Sequence, residues 1–74
     1  MDAVQLKMSR AALGLTTRQA AEIGGVSHGT ITRIEAGETL KESTVAKVRA
    51  ALEAAGVEFI AENGGGPGVR LRKR

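Results

Sequence analysis

The chain of 74 residues contains no cysteine, no tryptophan and no tyrosine, and it has one phenylalanine, one histidine and one proline. Without cysteine there is no disulfide framework and no thiolate nucleophile, a composition that suits a reducing compartment. One histidine and no cysteine argue against a structural zinc site. No nucleophile–base pair or metal-ligand cluster is visible either, so catalytic residues, metal ligands and cofactors are all expected to be none, and the chain is not read as an enzyme. The near absence of aromatic residues disfavours a sandwich or barrel core, whereas abundant Ala, Val, Leu and Ile favour close-packed helices. No apolar run is long enough to span a membrane, and the N-terminus lacks the apolar stretch of a signal peptide, so the expected location is cytoplasmic.

Charge of either sign is also scarce as a global field. The net formal charge is +3, which suits an anionic partner. It is unevenly spread: residues 1–56 carry seven Lys or Arg against six Asp or Glu, and residues 57–74 carry four against two. Binding to a polyanion would therefore rest on locally placed groups. The length allows one domain and a modest core, which a partner or a second copy would extend.

Periodicity divides what is present into helices followed by strands. A first helix spans roughly residues 2–13, with Val4, Met8, Ala11 and Leu15 as its apolar side and Gly14 as its stop. Thr16 and Gln19 form a capping box that opens a second helix over about 17–23. Gly24 and Gly25 then mark a turn in which one of the two takes the left-handed conformation. Ser27 is the N-cap of a third helix over about 28–36, with Ile31 and Ile34 inward and Gly37 just past its end. Leu40 is expected to plug the core from the following loop, and Ser43 or Thr44 to cap a fourth helix whose inner side is Val45, Val48, Leu52 and Ala55. Beyond Gly56 the pattern alternates. Val57, Phe59 and Ala61 would share one strand face with Val69 and Leu71, and Glu58 and Glu62 the other with Arg70 and Arg72. The glycine-rich run between the strands leads into a strand rather than a helix, so it is a hairpin loop and not a phosphate-binding fingerprint.

The second and third helices, joined by a short Gly-containing turn, make a helix-turn-helix. Ala21 falls at their closest approach, Gly25 in the turn, and Val26, Ile31 and Ile34 set the angle from inside. His28, Gly29, Thr32 and Arg33 are left on the outer face of the third helix near its start. In such motifs the first turns of that helix enter the DNA major groove. Arg can donate two bonds to guanine, Thr can use its hydroxyl or touch a thymine methyl, and neutral His can donate or accept. Gly29 has no side chain to offer, but it lets the backbone approach closely.

The segments Leu15-Thr-Thr-Arg-Gln-Ala-Ala21, Gly25-Val-Ser and Thr30-Ile-Thr-Arg-Ile-Glu-Ala-Gly37 resemble the lambda-repressor-like, or Cro/C1-type (XRE), helix-turn-helix family over about residues 7–52. The resemblance implies a mainly α, four- to five-helix lambda-repressor-like DNA-binding domain over 1–56, here with a short two-stranded β-hairpin at 57–74. It implies base reading by His28, Thr32 and Arg33 with Gly29 as the close-approach position. Phosphate contacts fall on Thr16, Thr17, Ser27 and Lys41, joined by Arg18 and Thr30. An ion pair of Arg10 with Glu35 would tie the first helix to the end of the third. The family usually has a glutamine where Thr17 stands, and threonine is too short for the same reach to the third helix, so a phosphate contact is the most expected of it. Lys47 and Arg49 are expected in solvent.

The hairpin needs cover for its apolar side, because an isolated two-stranded hairpin is marginal in water. Val57, Phe59, Ile60, Val69 and Leu71 are accordingly expected to make a homodimer. Arg70 and Arg72 are expected to neutralise Glu58 and Glu62, with Lys73 and Arg74 as a basic tail. The resulting expectation is a bacterial or phage-type, nucleoid-associated repressor bound to double-stranded DNA as a dimer on a palindromic operator. Two rivals stand beside it. One is an antitoxin that also binds a toxin. The other is an anti-activator that binds another regulator and leaves DNA alone.

Overall fold

Asp2 opens the first helix with a capping box. Its carboxylate accepts from the Gln5 N–H at 2.8 Å, and Gln5 Oε1 accepts from the Asp2 N–H at 3.0 Å. A computed structural model describes residues 1–61 and 64–72. It contains α1 (Ala3–Leu13), α2 (Thr17–Gly24), α3 (His28–Glu35), α4 (Glu42–Ala54), β1 (Val57–Ile60) and β2 (Gly68–Leu71). The class is the expected one: mainly α, with a C-terminal antiparallel hairpin. The expected partner Glu62 and the basic tail at Lys73 and Arg74 lie outside the described residues.

The core is a single aliphatic cluster of Leu6, Ala20, Ala21, Ile31, Ile34, Val48, Leu52 and Val57, with Leu13, Leu15, Val26, Leu40, Val45, Phe59 and Val69 packed around it. α2 lies against both α3 and α4, while α1 packs on α3 and on both strands. Leu40 does plug the core from the loop.

α1 turns a different face inward from the one its apolar periodicity suggests. Val4, Met8 and Ala11 are exposed, and the buried residues are Gln5, Leu6 and Ser9. Polar residues can occupy a core face when their bonds are made inside it. The Ser9 hydroxyl donates to the Gln5 carbonyl at 2.8 Å, and Gln5 Nε2 donates to the carbonyls of Ile60 and Gly68 at 3.0 and 3.1 Å. Among the described residues, no buried side-chain nitrogen or oxygen lacks a partner. A count of apolar spacings cannot register a buried face of this kind.

α4 begins at Glu42, and neither Ser43 nor Thr44 caps it; the N-cap is Lys41, without a side-chain cap. Leu40 is anchored immediately upstream, and Glu42 places its negative charge in the first turn, where the helix dipole favours it.

In the hairpin Val57 pairs with Leu71, Glu58 with Arg70, Phe59 with Val69 and Ile60 with Gly68. Val57, Phe59, Val69 and Leu71 therefore share the inner face, as alternation suggests. Glu58 and Arg70 pair across the outer face at 2.7 Å. Among the described residues, Arg72 takes its partners at the end of α4. Its Nη2 donates to the Glu53 carbonyl at 2.7 Å and its backbone N–H to the Gly56 carbonyl at 2.8 Å. A cation at the carboxyl end of α4 is favoured by the dipole.

Val57 corrects the expected dimer surface. It is 1% exposed and belongs to the protomer's own core, with Phe59 and Val69 packed against it. Leu71, at 49%, is the large inner-face residue left open. The packing makes no break at Gly56, since β1 rests on α4 and α1 and β2 on α1.

Candidate nucleic-acid interface

The α2–turn–α3 unit is built by two local decisions. Thr16 and Gln19 form the expected capping box, with the Gln19 N–H on Thr16 Oγ1 at 3.1 Å and the Thr16 N–H on Gln19 Oε1 at 2.9 Å. At the other end Gly25 takes φ +66°, the Gly25 N–H donates to Glu22 and the Val26 N–H to Ala21. A residue with a Cβ is strained in that conformation. Here its Cβ would also lie 3.2 Å from Lys47 Cε. Lys47 is not simply solvated: Nζ donates to the Gly25 carbonyl at 3.0 Å, so α4 fastens the turn from outside while Val48 packs beneath it.

α3 is held by its inward residues Ile31 and Ile34, both buried, with Val26 half-buried at its start. Its amino end projects Ser27, whose Oγ accepts the Thr30 N–H at 3.1 Å and bonds Thr30 Oγ1 at 2.9 Å. Two hydroxyls sharing one bond retain one proton for an outside acceptor. The backbone N–H groups of the first turn point the same way, which suits a phosphate. Thr16, whose hydroxyl accepts from Gln19, also keeps its proton for another acceptor. Arg18 and Lys41 are exposed.

Along the outer face of α3, His28 is half-buried and Gly29, Thr32 and Arg33 are exposed. Thr32 Oγ1 donates to the Gly29 carbonyl at 2.9 Å, which uses its proton and leaves its methyl and its lone pairs. Thr17 does reach α3, contrary to the argument from side-chain length: its Oγ1 lies 2.9 Å from His28 Nε2. His28 comes to meet it because it sits in the first turn of α3, facing the first turn of α2. One ring nitrogen of His28 is thereby engaged, and Nδ1 is left for another partner. Arg33 is held by Glu38, Nε to Oε1 at 3.1 Å.

Arg10 and Glu35 form a two-pronged pair, Nε to Oε2 at 2.6 Å and Nη2 to Oε1 at 3.0 Å, while Arg10 Nη1 donates to the Leu15 carbonyl at 3.1 Å. The side chains are 24% and 11% exposed. The hydrogen bond to Glu35 raises the Arg10 pKa above its ordinary value, against the opposing effect of burial. The pair joins α1, the α1–α2 turn and the end of α3, and so fixes the pitch of the outer face.

The arrangement is two short helices, a glycine turn and an outward polar face with a capped amino end. The model of the helix-turn-helix domain family matches residues 3–59. The chain belongs to that family. Membership in the helix-turn-helix family implies DNA binding. No curated protein matches the chain. The match runs past Gly56 into β1, in keeping with the place of Val57 in the core. Among the described residues no helix of the domain is long and apolar enough to cross a membrane.

Three residues that hold the fold or the site together escape sequence reasoning. Gln5 looks like a surface helix residue, Glu38 like a loop charge and Lys47 like a solvated one. Each acts through a partner distant in sequence or across a turn, and no local pattern signals such a pairing. Arg49 is likewise not free: its guanidinium stacks 5.1 Å over the Phe59 ring and pairs with Glu53 at 3.3 Å.

Proposed function

We propose that the protein is a sequence-specific transcriptional repressor of the lambda-repressor-like, Cro/C1-type kind, placing α3 in the major groove of a palindromic operator as a homodimer. The observation that carries this reading is the outer face of α3: Arg33, Thr32, Gly29 and His28 lie together above a buried Ile31–Ile34 stripe, beside an amino end capped by Ser27. Arg33 reads guanine O6 and N7, Thr32 offers its methyl or an acceptor, and His28 contributes through Nδ1. Ser27, Thr30, Thr16, Arg18 and Lys41 hold the phosphates on either side. Thr17 supports His28. Repression follows from occupying promoter DNA, and Leu71 with the open edge of the hairpin joins the two copies.

Selection of bound duplexes from a random pool tests the reading, with Arg33→Ala run beside the parent. The expected result is a two-fold symmetric site in which the variant loses about 1–3 kcal/mol of discrimination at one guanine per half-site. A uniform loss across all sequences would make Arg33 a phosphate contact, and recovery of no preferred sequence would sink the reading.

A further inference from the structure

Arg33 is the strongest base-reading group on α3, and its Nε is already occupied. Glu38 Oε1 holds it at 3.1 Å, with the two side chains 58% and 51% exposed. The backbone of Glu38 is fixed beside Arg33. Gly37 takes φ +87°, its N–H donates to the Ile34 carbonyl at 3.0 Å, and the Glu38 N–H donates to the Arg33 carbonyl at 3.1 Å. This double bond pattern closes the end of α3 and sets the Glu38 backbone against the same turn that carries Arg33. Glu35, two residues beyond Arg33, is committed to Arg10 and does not compete.

A guanidinium has two usable edges. Its side edge contains Nε, and its far edge presents the two terminal nitrogens as a fork. Glu38 engages Nε, and the far edge matches the two acceptors of guanine in the major groove. We infer that Glu38 is a specificity-determining positioning residue: it pins Arg33 through Nε so that the terminal fork meets guanine, and its negative charge opposes binding to DNA that offers no such partner. The inference rests on the proposed reading of DNA by Arg33.

Without Glu38 the guanidinium turns freely and can settle on a phosphate, which every sequence supplies. Base preference should fall while indifferent binding rises, and a residue that only stabilised the fold would lower both.

The test is quantitative selection with the full chain, comparing parent, Glu38→Ala, Glu38→Gln and Arg33→Ala at fixed salt, with thermal melts alongside. The expected result for Glu38→Ala is a guanine preference at the Arg33 position reduced by about fivefold, the ceiling for an exposed ion pair. Affinity for unrelated duplex rises and the melting temperature stays unchanged. Glu38→Gln keeps an acceptor for Nε without the charge, so it restores most of the guanine preference but not the discrimination against unrelated duplex. An unchanged base profile in Glu38→Ala overturns the inference, as does an equal loss on all sequences. If Arg33→Ala abolishes the preference and Glu38→Ala leaves it unchanged, only the role of Glu38 falls. If the parent selects no sequence, the reading of DNA by Arg33 falls, and the role of Glu38 with it.

Discussion

At the scale of single residues, the outer face of α3 divides into groups already engaged and groups still open. Thr17 holds one nitrogen of His28, Thr32 spends its proton on the Gly29 carbonyl, and Glu38 holds Arg33. Gly29 has no side chain to engage, and a Cβ there would meet only Ser27 Oγ, at an ordinary 3.8 Å. Within the free domain alanine should therefore be the better residue, because glycine costs about 0.5–1 kcal/mol in a helix. Gly29→Ala is expected to raise the melting temperature by a few degrees (roughly 2–8 °C for a domain of this size) and at the same time to weaken specific DNA binding. Parallel thermal melts and anisotropy titrations would check this. A variant that is more stable and binds as tightly as the parent would remove Gly29 from the interface.

At the scale of elements, legibility followed the length of the pattern. The capping box at Thr16 and Gln19, the glycine at Gly25 and the Ile31–Ile34 stripe are local, and helices α2 and α3 were readable within about a residue at each end. α1 was readable as a helix but not in orientation, since Gln5 and Ser9 are polar and face inward. The burial of Gln5 depends on carbonyls of the hairpin more than fifty residues away, which no local periodicity encodes, and that of Ser9 on the Gln5 carbonyl one turn back. Gln5 is thus the joint between the helices and the strands: one side chain accepts from Asp2 and donates to Ile60 and Gly68. Replacing it with leucine removes the donor from those half-buried carbonyls, at about 1 kcal/mol for each, the low end for an unsatisfied group. Gln5→Leu should lower the melting temperature by about 8–16 °C, and hydrogen exchange should accelerate first at hairpin amides. An unchanged melting temperature would show that the joint is dispensable.

At the scale of the whole molecule, the dimensions bear on how the domain would use DNA. Its longest principal extent is 30 Å, shorter than the ~34 Å between successive exposures of the major groove on one side of the duplex. On the proposed reading one copy would address one half-site with a single eight-residue α3, and few contacts would be available to it. In the proposed dimer a second copy would double them and supply the symmetry of a palindrome. The hairpin cannot provide that contact through Val57, which is buried within the protomer, and cutting the chain at Gly56 would remove Val57 from the core and both acceptors of Gln5 along with it. A loss of dimerisation in such a fragment would not separate association from folding. Leu71 offers a cleaner probe, because it is the most exposed large apolar residue of the hairpin and its removal leaves the core cluster intact. Leu71→Ser is expected to shift the protein from dimer to monomer in light-scattering chromatography, to leave its circular dichroism unchanged, and to abolish the advantage of a palindromic duplex over a single half-site. If parent and variant elute with the same mass and show the same palindrome advantage, the hairpin is not the dimer contact. The helix-turn-helix would then have to gain its second half-site through another surface.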